Sequence, residues 1–478
     1  MKTILNKPIA SLKDAWIALT GLSTVFLFEM LDNSILNVAL PTIGRELNAS
    51  VTSLQWITSS YAVVFGGLLI LFGSLADKFG PRRFMLIGLA MLATSSFLTL
   101  FVHTPGELIA VRILIGIAAA MTTPLSFSLA FRLFQDDSLR IRAISLISTV
   151  GLVGLAVGPT TGGFLLAVAP WQALLLVNVP IAVLAFISVH FGIAADKTED
   201  LHDTPLDIAG AALGTLTIIL FLISPTLFVE NGVESILPWL VSIATVIFAT
   251  LFIIREKTAK YPLIDIALVG QPLVASGLAY KAATGISLAA LGYFTSLQLQ
   301  LAWGWSPAQA AIGMLPQVIT LLATGPFIGK FVKKIGTHKA ILIGAIGVVA
   351  GLVVFGTLGQ SMYIGIAIAL IISSAGLRVV GVVAGVNVLN GVPMNRRTMG
   401  SAMVDTADEV ASAIGVAVAG TVLASIFVGT LSKGNWNNDQ AAQFHSAVFI
   451  SCMILAIVAS GLIGWAIVRT RKITVAMN

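Results

Sequence analysis

The chain has 478 residues, 57% of them apolar and only 10% charged, with a mean hydropathy of +0.99. Soluble domains carry about 25% charged residues and disordered chains carry few apolar ones, so both classes are excluded. The net charge of +6 would suggest nucleic acid in a soluble protein, but here the placement of the charges matters more than their sum. The single cysteine, Cys452, cannot form an internal disulfide, and no Cys/His set has metal-site spacing.

A membrane-spanning helix needs about 20 mostly apolar residues. In chain order, stretches of that kind fall at 16–40, 54–76, 84–103, 107–131, 141–168, 172–195, 207–229, 236–254, 273–301, 307–331, 340–359, 361–392, 399–431 and 443–468. They predict fourteen spans of an all-α integral membrane protein. They are too long and too uniformly apolar for the alternating strands of a membrane barrel. The first follows Lys2, Lys7 and Lys13, yet it is longer than the apolar core of a secretory signal and no cleavage site follows it. Among the 27 basic residues, Arg45 and Lys433 alone fall in the loops opposite the N-terminus, and Arg112, Lys281 and Arg378 lie within spans. The basic loops mark the cytoplasmic side, so both termini are expected there. A nucleic-acid role is not expected. An acidic loop, residues 196–203, reads as a solvated linker between two membrane bundles.

Between the second and third spans stands Gly73-Ser74-Leu75-Ala76-Asp77-Lys78-Phe79-Gly80-Pro81-Arg82-Arg83. Its glycines allow close helix ends and a sharp turn, and Asp77 can accept hydrogen bonds from a neighbouring helix N-terminus. A degraded copy, running from Gly329 to Lys339 with Gly336 in the place of Gly80 and Lys333 in the place of Asp77, lies between the tenth and eleventh spans. Repeated halves are the mark of many transporters. These residues resemble the loop signature of the major facilitator superfamily. Three further stretches are similar to motifs of its fourteen-span drug:proton antiporters, the QacA-like branch. They are Leu31-Asp32 through Asn37-Val38-Ala39-Leu40-Pro41 in the first span, Arg112 through Gly116 in the fourth, and Gly154, Gly158, Pro159, Gly162 and Gly163 in the fifth, the antiporter motif. Two departures from the pattern are Pro81 after Gly80 and Pro170-Trp171-Gln172-Ala173 before Asn178.

The resemblance implies two six-helix bundles, residues 1–204 and 263–478, with two inserted helices at 205–262. It also implies alternating access about a central cavity, a gating loop at Gly73, Asp77, Gly80, Arg82 and Arg83, and a bacterial cytoplasmic (inner) membrane. An ionised side chain at mid-membrane costs about 2.5–3.5 kcal/mol, so acids there call for a reason. Glu29 and Asp32 share a face of the first span at i,i+3, and Asp405, Asp408 and Glu409 share one of the thirteenth. If both faces line the cavity, a proton and a cationic substrate compete for these carboxylates. The competing account is structural pairing with Arg112, Arg378 and Lys281, Arg378 lying in the repeat counterpart of the span that holds Arg112. Glu107 reads as a helix-end residue.

The expected function is proton-coupled antiport that exports lipophilic, cationic drugs or dyes. The alternative is export of a specific metabolite or organic anion through the buried cations. The partners are small molecules, protons and membrane lipid, the chain acts as a monomer, and no cofactor or metal is expected. An enzyme is disfavoured by the lack of a nucleophile–base pair, and the phosphate loop of an ATP-driven pump is missing.

Overall fold

A computed structural model describes residues 11–134, 136–196, 207–260, 262, 266–392, 397–428 and 436–477. Among them every regular segment is helical, as lipid requires, because a helix satisfies its backbone groups internally. The helices of the first half are α1 (Trp16–Glu46), α2 (Val51–Phe79), α3 (Pro81–Leu98), α4 (Pro105–Leu133), α5 (Asp137–Leu166), α6 (Gln172–Leu176) and α7 (Asn178–Gly192). Then come α8 (Ile208–Asn231), α9 (Ile236–Thr258) and the short α10 (Ile266–Val269). The second half holds α11 (Pro272–Leu297), α12 (Pro307–Gly313), α13 (Leu315–Ile335), α14 (Thr337–Thr357), α15 (Tyr363–Gly391), α16 (Arg397–Ile426) and α17 (Asn438–Met477).

Twelve helical stretches of the described residues are long and apolar enough to cross a membrane. The first two apolar stretches of the sequence fall on α1 and α2, helices of 31 and 29 residues. At 1.5 Å per residue each reaches more than about 40 Å. Prolines set the interruptions. The α6/α7 and α12/α13 breaks fall where Pro180 and Pro316 deny Leu176 and Ile312 their hydrogen bonds. Helix starts carry the caps that their unpaired N–H groups demand. Thr104 and Glu107 form a capping box on α4, and Ser306 and Gln309 form one on α12. Glu107 is therefore a helix-end residue.

One pattern of packing occurs twice. In the first half α1 lies on α5 and α7, α4 on α2 and α3, and α3 on α7; in the second, α11 lies on α16 and α17, α15 on α13 and α14, and α14 on α17. The halves meet where α2 packs on α16 and where α5 packs on α12 and α13. The degraded loop copy is repeated in geometry as well. Gly80 (φ 103°) and Gly336 (φ 86°) each end one helix and open the next in a left-handed conformation that side chains resist. Helix α8 packs on both α2 and α16, while α9 packs on α8 and leaves most of its surface uncovered. Residues 197–206 and 263–265 lie outside the described residues, and with them most of the acidic loop and both expected domain boundaries.

Candidate functional site

Asp32 and Arg112 are buried together. Arg112 Nη1 donates to Asp32 Oδ2 at 2.6 Å and Asn178 Nδ2 donates to Oδ1 at 2.8 Å. The same guanidinium donates through Nε to the Ile57 carbonyl at 3.3 Å and lies 4.5 Å from the Tyr61 ring. Both carboxylate oxygens are occupied, and neither partner is more than 1% exposed. Asp32 thus stands in a closed ion pair rather than in an open polyanionic chamber. The physical reason is that two buried charges in low dielectric are tolerable only when each is matched and hydrogen-bonded. Asn178 completes the site; the sequence marks it as part of a family pattern two residues before Pro180, but not as a partner of Asp32.

One turn before Asp32, Glu29 is 3% exposed and its Oε2 has no hydrogen-bond partner. It lies in electrostatic reach of Glu409, Asp405 and Asp408, with Thr123 beside it. These three acids share a face of α16 as their spacing required. Asp408 Oδ2 meets Lys281 Nζ at 2.9 Å, the two side chains being 26% and 22% exposed. Lys281 also acts on Asp405 and Glu409, so it is a paired residue of the site and does not snorkel to a surface. The three carboxylates of α16 share this ammonium, and Glu29 of α1 adds a fourth acid beside them. Room for them comes from glycines. Asp408 packs against Gly285 of α11, where an added Cβ would lie 2.6 Å from the Asp408 carbonyl oxygen. A Cβ on Gly66 of α2 would come within 3.5 Å of Glu409 Cβ. Tyr61 joins the two charge groups. Its buried hydroxyl has no hydrogen-bond partner and lies in electrostatic reach of Asp32, Glu29, Glu409 and Arg112.

Arg378 is placed differently from Arg112. It is the sixteenth residue of α15, whereas Arg112 is the eighth of α4, so the two occupy corresponding helices at unlike depths. Its Nε is buried without a partner, and among the described residues it makes no ion pair. Gly325 of α13 leaves the space for its guanidinium.

The antiporter-motif glycines lie on the face of α5 that packs on α1. A Cβ on Gly154 would sit 2.7 Å from the Leu27 carbonyl oxygen, on Gly162 2.6 Å from Ile35 Cγ1, and on Gly158 against the Ser34 hydroxyl. The contacts bracket Asp32, with Pro159 inside the helix between them. Gly163 instead meets Pro307 and Ala311 of α12, across the halves. At the other end of the molecule, the carboxylate that caps α3 is Asp196, which accepts from the backbone N–H groups of Arg82 (3.2 Å) and Arg83 (2.9 Å). The expected solvated linker therefore begins with a helix cap. The side chain of Asp77, which was expected in that role, lies outside the described residues, and Gly73 faces open space.

Contacts that bridge the halves gather at one end of the molecule, the end where α1 finishes. There Ser296 donates to the Asn37 carbonyl, Gln300 Nε2 to the Val38 carbonyl at 2.9 Å, and Gln55 Nε2 to Thr421 at 3.4 Å. Toward the end where α1 begins, Gly73, Gly329, Gly381 and Gly385 have nothing within 4 Å of an added Cβ.

The family model of the Major Facilitator Superfamily matches residues 22–296. The multidrug efflux pump LfrA of Mycolicibacterium smegmatis is 28% identical over 414 residues, 86% of this chain and 82% of that one. The cephamycin export protein CmcT of Amycolatopsis lactamdurans is 30% identical, with 69% of each chain covered. The methyl viologen resistance protein SmvA of Salmonella typhimurium is 29% identical over 67% of this chain and 64% of its own. Among solved structures, a bacterial homologue of the lysosomal transporter Spinster, inward-facing and unoccupied, superposes with a TM-score of 0.68 at 13% identity, covering 96% and 97% of the two chains. That likeness concerns the fold alone.

Proposed function

The chain belongs to the Major Facilitator Superfamily, and from that premise we propose that this multi-pass membrane transporter is a proton-coupled antiporter exporting lipophilic cations from the cytoplasm. Relatives named for multidrug efflux and for resistance to methyl viologen, a dication, support the drug-export reading. The observation that carries the proton-coupled part is the imbalance of four neighbouring carboxylates, Glu29 of α1 and Asp405, Asp408 and Glu409 of α16, with Lys281 as the cation among them. Substrate sites of this kind lie near mid-membrane at the junction of the repeats.

In the proposed cycle Glu29, Asp405 and Glu409 take up either protons or one cationic substrate, never both, so the arrival of one expels the other. Moving one charge across 100 mV is worth about 2.3 kcal/mol, which drives the exchange outward. Asp32 and Arg112 hold α1, α4 and α7 in register beneath the site. Lys281 sets the charge of the cluster, and the bare α1–α5 contact lets the helices shift as the halves rock. Fourteen spans, two six-helix bundles with α8 and α9 inserted between them, and both termini in the cytoplasm complete the reading. With that orientation, the contacts that bridge the halves at the outer end favour a cytoplasm-open state.

The test is ethidium transport in everted membrane vesicles under an imposed proton gradient. Glu409→Gln and Glu29→Gln should each lower gradient-driven transport about tenfold or more while leaving folded protein in the membrane. Unchanged transport in both variants would overturn proton exchange at this cluster. Arg378, a mid-helix cation without an acid, supports a second reading, export of compounds that carry an anionic group. Selective loss of such compounds in Arg378→Gln would favour it.

A further inference from the structure

Helices α3 and α7 line an open groove of about 340 Å³ at the end of the molecule where α1 begins, and it plays no part in the exchange just described. Its mouth holds Arg82 and Arg83, and its walls are Leu86, Ile87, Ala90 and Phe186. Arg83, Ile87 and Ala90 follow one another at helical spacing, so a single face of α3 runs from two guanidinium groups down an apolar lane. Asp196 also lines the mouth, but its two oxygens are spent on the backbone N–H groups that open α3. Arg82 Nη2 donates to the His190 carbonyl at 2.7 Å, its Nε is buried without a partner, and among the described residues neither arginine makes an ion pair. Two guanidinium groups against one carboxylate leave the mouth of this apolar groove net positive, and at the level where a membrane helix begins that matches one amphiphile: an acidic headgroup carrying an acyl chain.

We propose that this groove binds an anionic phospholipid, with its phosphate between Arg82 and Arg83 and the start of one chain along Leu86, Ile87, Ala90 and Phe186. The complement is both electrostatic and apolar. Basic residues at the bilayer surface attract anionic headgroups, and the apolar lane gives the methylenes a protein wall in place of neighbouring lipid.

The experiment is native mass spectrometry of the purified full-length protein, titrated in turn with phosphatidylglycerol, phosphatidylcholine of the same chains, and inorganic phosphate. The expected result is retention of phosphatidylglycerol over phosphatidylcholine, with no displacement by phosphate. Arg83→Gln should reduce that retention roughly fivefold. Ala90→Trp, which fills the lane and leaves both arginines in place, should reduce it as well. Equal retention of the two lipids, or an unaltered preference in both variants, overturns the proposal. Displacement by inorganic phosphate overturns the lipid assignment in favour of a simple anion site. None of these readings depends on transport, so they stand apart from the proton-exchange test.

Discussion

Two groups of buried charge lie side by side in this protein and obey opposite rules. Around Asp32 every charge is matched: one guanidinium, one amide, a backbone carbonyl and an aromatic face close the set. Around Asp408 three acids share one lysine, and beside them Glu29 keeps an oxygen without a partner. A matched set in low dielectric has nothing to gain from a proton or a ligand, while an unmatched one does. The same residue types, one helical turn apart on α1, thus give a closed pair in one place and, in the other, the open group proposed as the exchange site.

This contrast can be broken from either side. The largest effect is expected at the closed pair. Arg112→Ala strands a buried carboxylate and should destabilise the protein by about 3–5 kcal/mol, seen as lost folded yield and a lower Tm in detergent. Adding Asp32→Asn should recover much of that loss, and a double variant as unstable as the single one would contradict a mutual pair. Next comes the contact that seats α1 on α5. Gly158→Val drives methyl groups into Ser34, and overpacking of this kind costs about 1–3 kcal/mol; thermal unfolding reads it directly.

At the unmatched cluster the effect should fall on transport and spare stability. Glu409→Gln is expected to lower gradient-driven ethidium transport about tenfold or more, within the usual range of coupling energies, with the Tm unchanged or raised. A fall in Tm comparable to that of Arg112→Ala would make Glu409 a structural partner instead. The smallest shift is expected at the lysine. Lys281→Met leaves the acids more negative and should favour dications over monocations about fivefold, measured as the ratio of methyl viologen to ethidium transport.

The element map was legible in the sequence because lipid is a simple solvent: a helix that must satisfy its own backbone declares itself as a long apolar run. The runs at 84–103 and 236–254 fall on α3 and α9, and the proline breaks inside the sixth and tenth runs add detail without moving a helix. The face shared by Asp405, Asp408 and Glu409 was equally legible, since helical spacing alone sets it. What could not be read was the partner of each charge. Lys281 and Asp408 are 127 positions apart, Asp32 and Arg112 are 80 apart, and nothing in local pattern distinguishes a closed pair from an open cluster. The roles of Asn178, named only as part of a motif, and of Asp196, read as the start of a solvated linker, were missed for the same reason, each being a single polar group whose role depends on what another helix brings to it.

Composition and periodicity by themselves determined that this chain lives in a membrane, where its helices run, and which charges must sit inside them. Only the packing of one helix on another decided which of those charges cancel and which stay available, because neutralisation depends on distances of a few ångströms between residues far apart in the chain.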